Sequence, residues 1–141
     1  MNSRITARQI ELVQSSWHQV PYTLEETANR FYTRLFEADP ALKRLFRGDM
    51  KEQGRRSMAM LTFIVDSLGR MQEIVPTLRS LGSRHAGYGV RDEHYGTVGA
   101  TLLWTLEGAL GSRFTAEVRA AWMAALEALA GTMLAATKAE A

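Results

Sequence analysis

A chain of 141 residues that is 46% hydrophobic and 23% charged can build one domain with a buried core, and is too short for two. Its net charge of +2 is too small for a nucleic-acid footprint, and Arg30, Arg34, Lys43, Arg44, Arg47, Arg55 and Arg56 are interspersed with acids as on a solvated face. The lack of cysteine excludes disulfides, thiolate metal sites and covalent CxxCH cofactor attachment. The polar N-terminus MNSRITARQIELVQ has no signal-peptide run and no segment is expected to span a membrane, so a cytoplasmic location is expected.

The punctuation along the chain is helical throughout. Thr6 with Gln9 makes a capping-box pattern ahead of a stripe at Ile10, Val13, Trp17 and Val20, which Pro21 should end. Thr23 with Glu26 opens a second helix carrying Leu24, Ala28, Phe31, Tyr32, Leu35 and Phe36. Asp39-Pro40 reads as an N-cap with proline at the first helical position, starting a short third helix that ends near Phe46. Asp49 with Glu52 caps a fourth, which runs to about Leu68 and stops at Gly69. The fifth begins near Gln72, tolerates Pro76 in its early turns and is expected to stop at Gly87 in the left-handed conformation. Asp92 starts a long helix through Tyr95, Val98, Leu102, Leu106 and Leu110, ended by Gly111. The last runs from Thr115 to about Ala136 along Val118, Trp122, Ala125, Leu129 and Met133. Trp17, Trp104 and Trp122 fall at core positions, while His18 and His94 fall on polar faces or caps. No alternating strand pattern competes, and FIV at 63–65 is too short to argue for a sheet. The fold class is all-α, with about seven helices in a single domain over residues 1–141.

His85 departs from this plain pattern. Counting back from it, Leu81, Leu78 and Ile74 follow at helical steps, so the ring shares the face that turns toward a core. A histidine there is, taken alone, a core residue with a satisfied ring. The short connection between the fourth and fifth helices lets them face one another. The inner face of the fourth carries Met50, Gln53, Ser57, Met60, Leu61, Ile64 and Leu68, so an amide and a hydroxyl point inward where a minimal core would take leucine or alanine. A slot with aliphatic walls, an imidazole on one side and an amide on the other suits a flat iron macrocycle.

With these residues in place the chain resembles the globins, most closely the single-domain bacterial haemoglobins and the globin half of flavohaemoglobins. The likeness covers nearly the whole chain. It is carried by FYTRLF followed by ADPALKRLF, by Gln53, and by RHAGYGV leading to HYGTVG, in that order and spacing. The resemblance implies a three-over-three helical arrangement around a non-covalent haem b. His85 is then the proximal ligand on iron, and the sixth position is open to dioxygen, nitric oxide or carbon monoxide. By position, Tyr32 and Gln53 match the distal tyrosine and glutamine, Phe46 the phenylalanine wedged against the haem, and Tyr95 a tyrosine beside the proximal histidine. Arg56 and Arg84 are implied partners of the haem propionates. Leu61, Leu81, Tyr88, Val90, Val98 and Leu102 are implied to line the group.

Donors at Tyr32 and Gln53 imply tight oxygen binding, because charge moves onto the outer oxygen of the ligand. The departures bear on function. Ser57 stands at the family's distal leucine, where its hydroxyl admits water, joins the distal hydrogen bonds, or back-bonds to its own helix. The last-helix tyrosine and glutamate of flavohaemoglobins fall on Leu126 and Thr137, with Glu140 the nearest acid beyond, so a peroxidase-like proximal side is not expected. With the sequence ending at Ala141, a separate reductase is the expected redox partner. Reversible oxygen binding for storage, delivery or scavenging is the leading expectation; nitric oxide dioxygenation and gas sensing are the alternatives.

Overall fold

The computed structural model describes residues 5–46, 48–87 and 89–140, with the side chains of 137–140 outside the description. Six α-helices are seen among these residues: α1 (Ala7–Trp17), α2 (Leu24–Ala38), α3 (Met50–Asp66), α4 (Met71–Gly87), α5 (Asp92–Leu110) and α6 (Ala116–Glu140). Tighter 3₁₀ segments lie at Pro40–Leu45, Leu68–Arg70 and Gly111–Arg113, and the described residues contain no strand. The seven expected helices are all present, the third of them as the 3₁₀ segment Pro40–Leu45.

Local chemistry sets most of the boundaries. Thr6 Oγ1 accepts the Gln9 N–H at 3.0 Å while Gln9 Oε1 accepts the Thr6 N–H at 2.9 Å, and Thr23 with Glu26 repeats the arrangement. Asp49 caps α3 through the Lys51 and Glu52 N–H groups, but Glu52 does not return the bond; its carboxylate pairs with Arg55 instead. Helix α1 stops at Trp17, short of the expected Val20. Pro21 has no N–H to give the Trp17 carbonyl, so the Val20 N–H takes it at 3.2 Å in a tighter turn. The end of α4 also differs from expectation. Gly87 is still helical, and the positive φ of +94° belongs to Gly89. The Val90 N–H donates to the His85 carbonyl at 2.9 Å and the Gly89 N–H to the Ala86 carbonyl at 3.1 Å, which is a Schellman stop.

The packing follows from small residues and two tryptophans. Trp17 and Trp122 stack at 6.0 Å, and each ring N–H finds a hydroxyl: Trp122 donates to Ser16 at 2.8 Å, Trp17 to Thr62 at 2.9 Å. These bonds dock α1 on α6 and on α3. Trp104 does not join the core; it is 46% exposed with the Arg34 guanidinium 5.0 Å above its ring, because the buried face of α5 runs through Leu102, Leu103, Leu106 and Leu110. Helix α3 is also turned from the expected face. Ile64 and Leu68 of the expected face are buried, but towards the start of the helix burial falls on Gly54 and Met58, leaving Gln53, Ser57, Met60 and Leu61 half-buried at the side. Helix α6 corrects another expectation: Ala116–Ala136 has a mean hydropathy of 1.2 over 21 residues and is by length and composition apolar enough to cross a membrane. In this fold it packs on α1, α4 and α5, burying Val118, Ala121, Trp122, Ala125 and Leu129.

Helices α3 and α4 are consecutive yet settle on different partners, α3 on α2 and α1, α4 on α6. Both choices run through a mid-helix glycine. A Cβ at Gly82 would stand 2.9 Å from Met133 Cα and closer still to the Met133 carbonyl oxygen, so the α4 and α6 backbones touch there. A Cβ at Gly54 would stand 2.8 Å from Ala28 Cβ, which sets the α2–α3 approach. Gly82→Ala is therefore expected to lose about 1–3 kcal/mol in urea unfolding by overpacking. Gly108→Ala, at a site where a Cβ meets nothing within 4 Å, should instead gain up to about 1 kcal/mol from helix propensity. Equal effects of the two substitutions would contradict the backbone contact at Gly82.

Candidate functional site

The His85 ring is oriented by its own helix. Nδ1 lies 2.5 Å from the Leu81 carbonyl oxygen, one turn back. A carbonyl only accepts, so Nδ1 carries a proton, and Nε2 is the ring nitrogen left to face a metal or a donor. The ring is half-buried, and the Tyr95 ring on α5 lies 6.4 Å away at 46°. Burial, with Asp92 nearby, holds the Tyr95 phenol above its ordinary pKa. Gly89 approaches Leu45, whose Cδ2 would be 3.4 Å from a Cβ there, so the end of α4 closes on the Pro40–Leu45 segment that leads to Phe46. Val90 is half-buried, Arg84 is exposed, and Tyr88 lies outside the described residues.

Helices α2 and α3 assemble a second group. The Tyr32 hydroxyl donates to Ser57 Oγ at 3.0 Å. Its ring is boxed by Phe31 at 5.0 Å, Phe46 at 5.2 Å and Phe36 at 5.9 Å, the first two edge-on. Gly54 belongs to the same box, since a Cβ there would lie 3.6 Å from Tyr32 Cε2. Ser57 Oγ thus accepts a hydrogen bond from the Tyr32 hydroxyl. Burial raises the Tyr32 pKa, and the Ser57 bond works against that rise. Gln53, one turn before Ser57, is half-buried, and its amide has no protein hydrogen-bond partner among the described residues. Arg56, next to Ser57, is exposed.

The apolar residues expected to line the site are incompletely covered. Val98 shares a helix face with Tyr95 and Leu102, yet it is 38% exposed while Leu102 is 4% exposed. Phe46, Leu61, Leu81 and Val90 are all half-buried. Apolar side chains on inward faces that protein does not cover are what a flat apolar group would cover. The described residues contain no cluster of three or more His, Cys, Asp or Glu able to hold a metal ion. His85 alone can therefore anchor a metal only if the other ligands arrive with it, as they do in a tetrapyrrole. The residues fit a haem in kind: one imidazole with Nδ1 held by a carbonyl and Nε2 without a protein partner among the described residues, half-covered apolar side chains, and polar side chains at Tyr32, Ser57 and Gln53.

Sequence reading named His85, Tyr32, Gln53, Ser57, Phe46 and Tyr95 as candidates, and did not single out Gly54, Gly82 and Gly89, which set the packing around them. The missed signal was available for two of them, because a glycine inside a strong helix needs a packing reason. Leu126 is half-buried, with Cδ1 3.8 Å from where a Gly99 Cβ would lie, and supplies no proximal acid; the side chains of Thr137 and Glu140 lie outside the described residues.

A family model described as Globin matches residues 29–133, from just before Tyr32 to Met133. The chain is 25% identical over 128 residues to the Flavohemoprotein of Bacillus subtilis (strain 168), covering 89% of this chain and 32% of that protein. It is 29% identical over 113 residues to the Flavohemoprotein of Bordetella parapertussis, covering 78% and 28%. It is 26% identical over 134 residues to the Neuroglobin of Tetraodon nigroviridis, covering 85% and 84%. The chain spans about a third of the length of the flavohemoproteins it matches.

The raised phenol at Tyr32 has a consequence for stability. The folded chain holds that proton more tightly than the unfolded chain, so the contribution is complete below the ordinary phenol value of 10.0 and is lost as pH rises through the folded-state pKa. Tyr95 acts in the same direction. Urea unfolding at pH about 9 and about 11 should show a smaller alkaline loss in Tyr32→Phe than in the wild type. An equal loss in both would mean that Tyr32 is not held this way.

Proposed function

The chain belongs to the globin family, and on that premise we propose that it seats a haem b between α3 and α4, with His85 as the axial ligand, and binds dioxygen and other diatomic gases reversibly for storage, delivery or scavenging. The observation that carries this reading is the state of His85: Nδ1 committed to Leu81, Nε2 free, and half-covered apolar side chains around it. A haem b held there by His85 would supply the iron at which a diatomic gas binds.

The chain's own residues do the rest. The Leu81 carbonyl holds the imidazole in one tautomer and one orientation, which fixes its basicity. Phe46, Leu61, Leu81, Val98 and Leu102 keep water off the group's faces. Arg56 and Arg84 are exposed and make no ion pair with a protein carboxylate among the described residues, which leaves them for the propionates. Gln53 holds a free amide toward the gas side.

The second reading is nitric oxide dioxygenation with a separate reductase. It is favoured by the likeness to flavohemoproteins, whose name joins a flavin to a haem. The neutral carbonyl on His85, in place of a carboxylate, favours the first reading, because it gives the imidazole less negative character.

The test is a visible spectrum of the protein reconstituted with haem, reduced, and exposed to air or carbon monoxide. A Soret band that shifts with each gas is expected in the wild type, and its loss or a changed axial ligation in His85→Ala. An unaltered spectrum in His85→Ala would overturn the assignment of the ligand, and no Soret band in the wild type would overturn the haem. Nitric oxide turnover with an added reductase, faster than ferric reduction by the buffer reductant, would favour the enzyme reading.

A further inference from the structure

The Tyr32–Ser57 hydrogen bond has an orientation, and the orientation decides what faces a gas. A phenol is a stronger acid than an aliphatic alcohol, and the alcohol oxygen is the stronger acceptor, so in a phenol–serine pair the phenol donates. The contact runs that way here, Tyr32 O–H to Ser57 Oγ at 3.0 Å. A phenol has one proton, and in this pair it is already in use.

We propose that Ser57 sets the gas affinity of this protein by holding the Tyr32 hydroxyl, so that Tyr32 turns an oxygen lone pair rather than a donor toward a gas ligand and Gln53 is left as the distal donor. The proposal rests on the haem reading above and deepens it by naming a positioning residue. Three observations carry it. The Tyr32 ring has little freedom to find another partner, being boxed by Phe31, Phe36 and Phe46. Ser57 is held at the right distance because α3 lies against α2 at Gly54 and Ala28, one turn before it. The Gln53 amide, on the same side of α3, makes no protein hydrogen bond among the described residues. With leucine at position 57, which the resemblance implies for the family, the Tyr32 hydroxyl would have no such acceptor and would be free to donate to the gas.

The sign is the opposite of what deleting a pocket hydroxyl usually does. Ser57→Ala removes an acceptor, frees the phenol to donate to the charge on the outer oxygen, and should slow oxygen release by roughly 10- to 100-fold, the scale of a hydrogen bond to a charged acceptor. In the carbon monoxide complex it should lower the C–O stretching frequency in the infrared. Ser57→Thr keeps the hydroxyl and should restore wild-type behaviour. In a Tyr32→Phe background, Ser57→Ala should change nothing, since Ser57 acts through Tyr32. A parallel measurement needs no haem: in the haem-free protein, ultraviolet titration should show the Tyr32 phenol shifted in Ser57→Ala, because the partner of its hydroxyl is gone, and returned to the wild-type position in Ser57→Thr.

Faster oxygen release in Ser57→Ala, an unchanged rate, or an effect that persists in Tyr32→Phe would each overturn the proposal, by making Ser57 itself the donor or a bystander. An unmoved phenol in the haem-free titration would overturn the bond on which it stands. No gas-sensitive Soret band in any variant would overturn the haem reading and with it the role in gas affinity, while the haem-free titration would still support or refute the bond.

Discussion

Two close approaches at glycine hold this molecule's working parts in place, α4 against the α6 backbone at Gly82 and α3 against the Ala28 and Tyr32 side chains of α2 at Gly54. A glycine inside a helix costs about 1 kcal/mol relative to alanine, and a forced methyl in a tight crossing costs about 1–3 kcal/mol. The comparison explains why both glycines stand where they do. The crossings seat α3 chiefly on α2 and α4 chiefly on α6. His85 sits one turn beyond Gly82 and Ser57 one turn beyond Gly54, so each contact also sets the position of a polar group.

The polar groups inside are nearly all neutral and all matched. No buried side-chain nitrogen or oxygen lacks a partner among the described residues. Ser16 shows how: it donates to the Leu12 carbonyl at 2.7 Å and accepts from Trp122 at 2.8 Å. The candidate site follows the same economy, with a carbonyl for the imidazole and a serine for the phenol. The ion pairs lie at the surface, where they contribute little. What remains unsatisfied is apolar, the half-covered wall at Val98, Leu61 and Leu81, together with the free amide of Gln53. A flat, largely apolar group with a polar ligand on one face answers both.

Legibility in the sequence tracked the range of the interaction responsible. The capping boxes at Thr6 and Thr23 and the proline start at Pro40 are complete within four residues, and they were readable. The stop at Gly89 was misplaced to Gly87, because two nearby glycines offer the same conformational freedom and the hydrogen bonds from Val90 and Gly89 choose between them. Trp104 read as core because its spacing is helical; the face of α5 that is buried depends on α2 and α6, which no local pattern records. The alanine-rich stretch of α6 is apolar for the same reason it packs closely, since small side chains let α1, α4 and α5 approach it.

The sequence by itself determined an all-α chain, its helix starts, and the residue types of a site: one imidazole on an apolar face, an amide, a phenol and a phenylalanine at globin spacing. These are properties of single helices, fixed by periodicity and by caps a few residues long. Only the tertiary structure decided that Ser57 accepts the Tyr32 hydrogen bond, that Gln53 keeps its amide free of protein partners among the described residues, and that α3 packs chiefly on α2 while α4 packs chiefly on α6. Each of those depends on distances between helices far apart in the chain, set where a glycine allows two helices to meet, and a hydrogen bond forms or fails over a few tenths of an ångström.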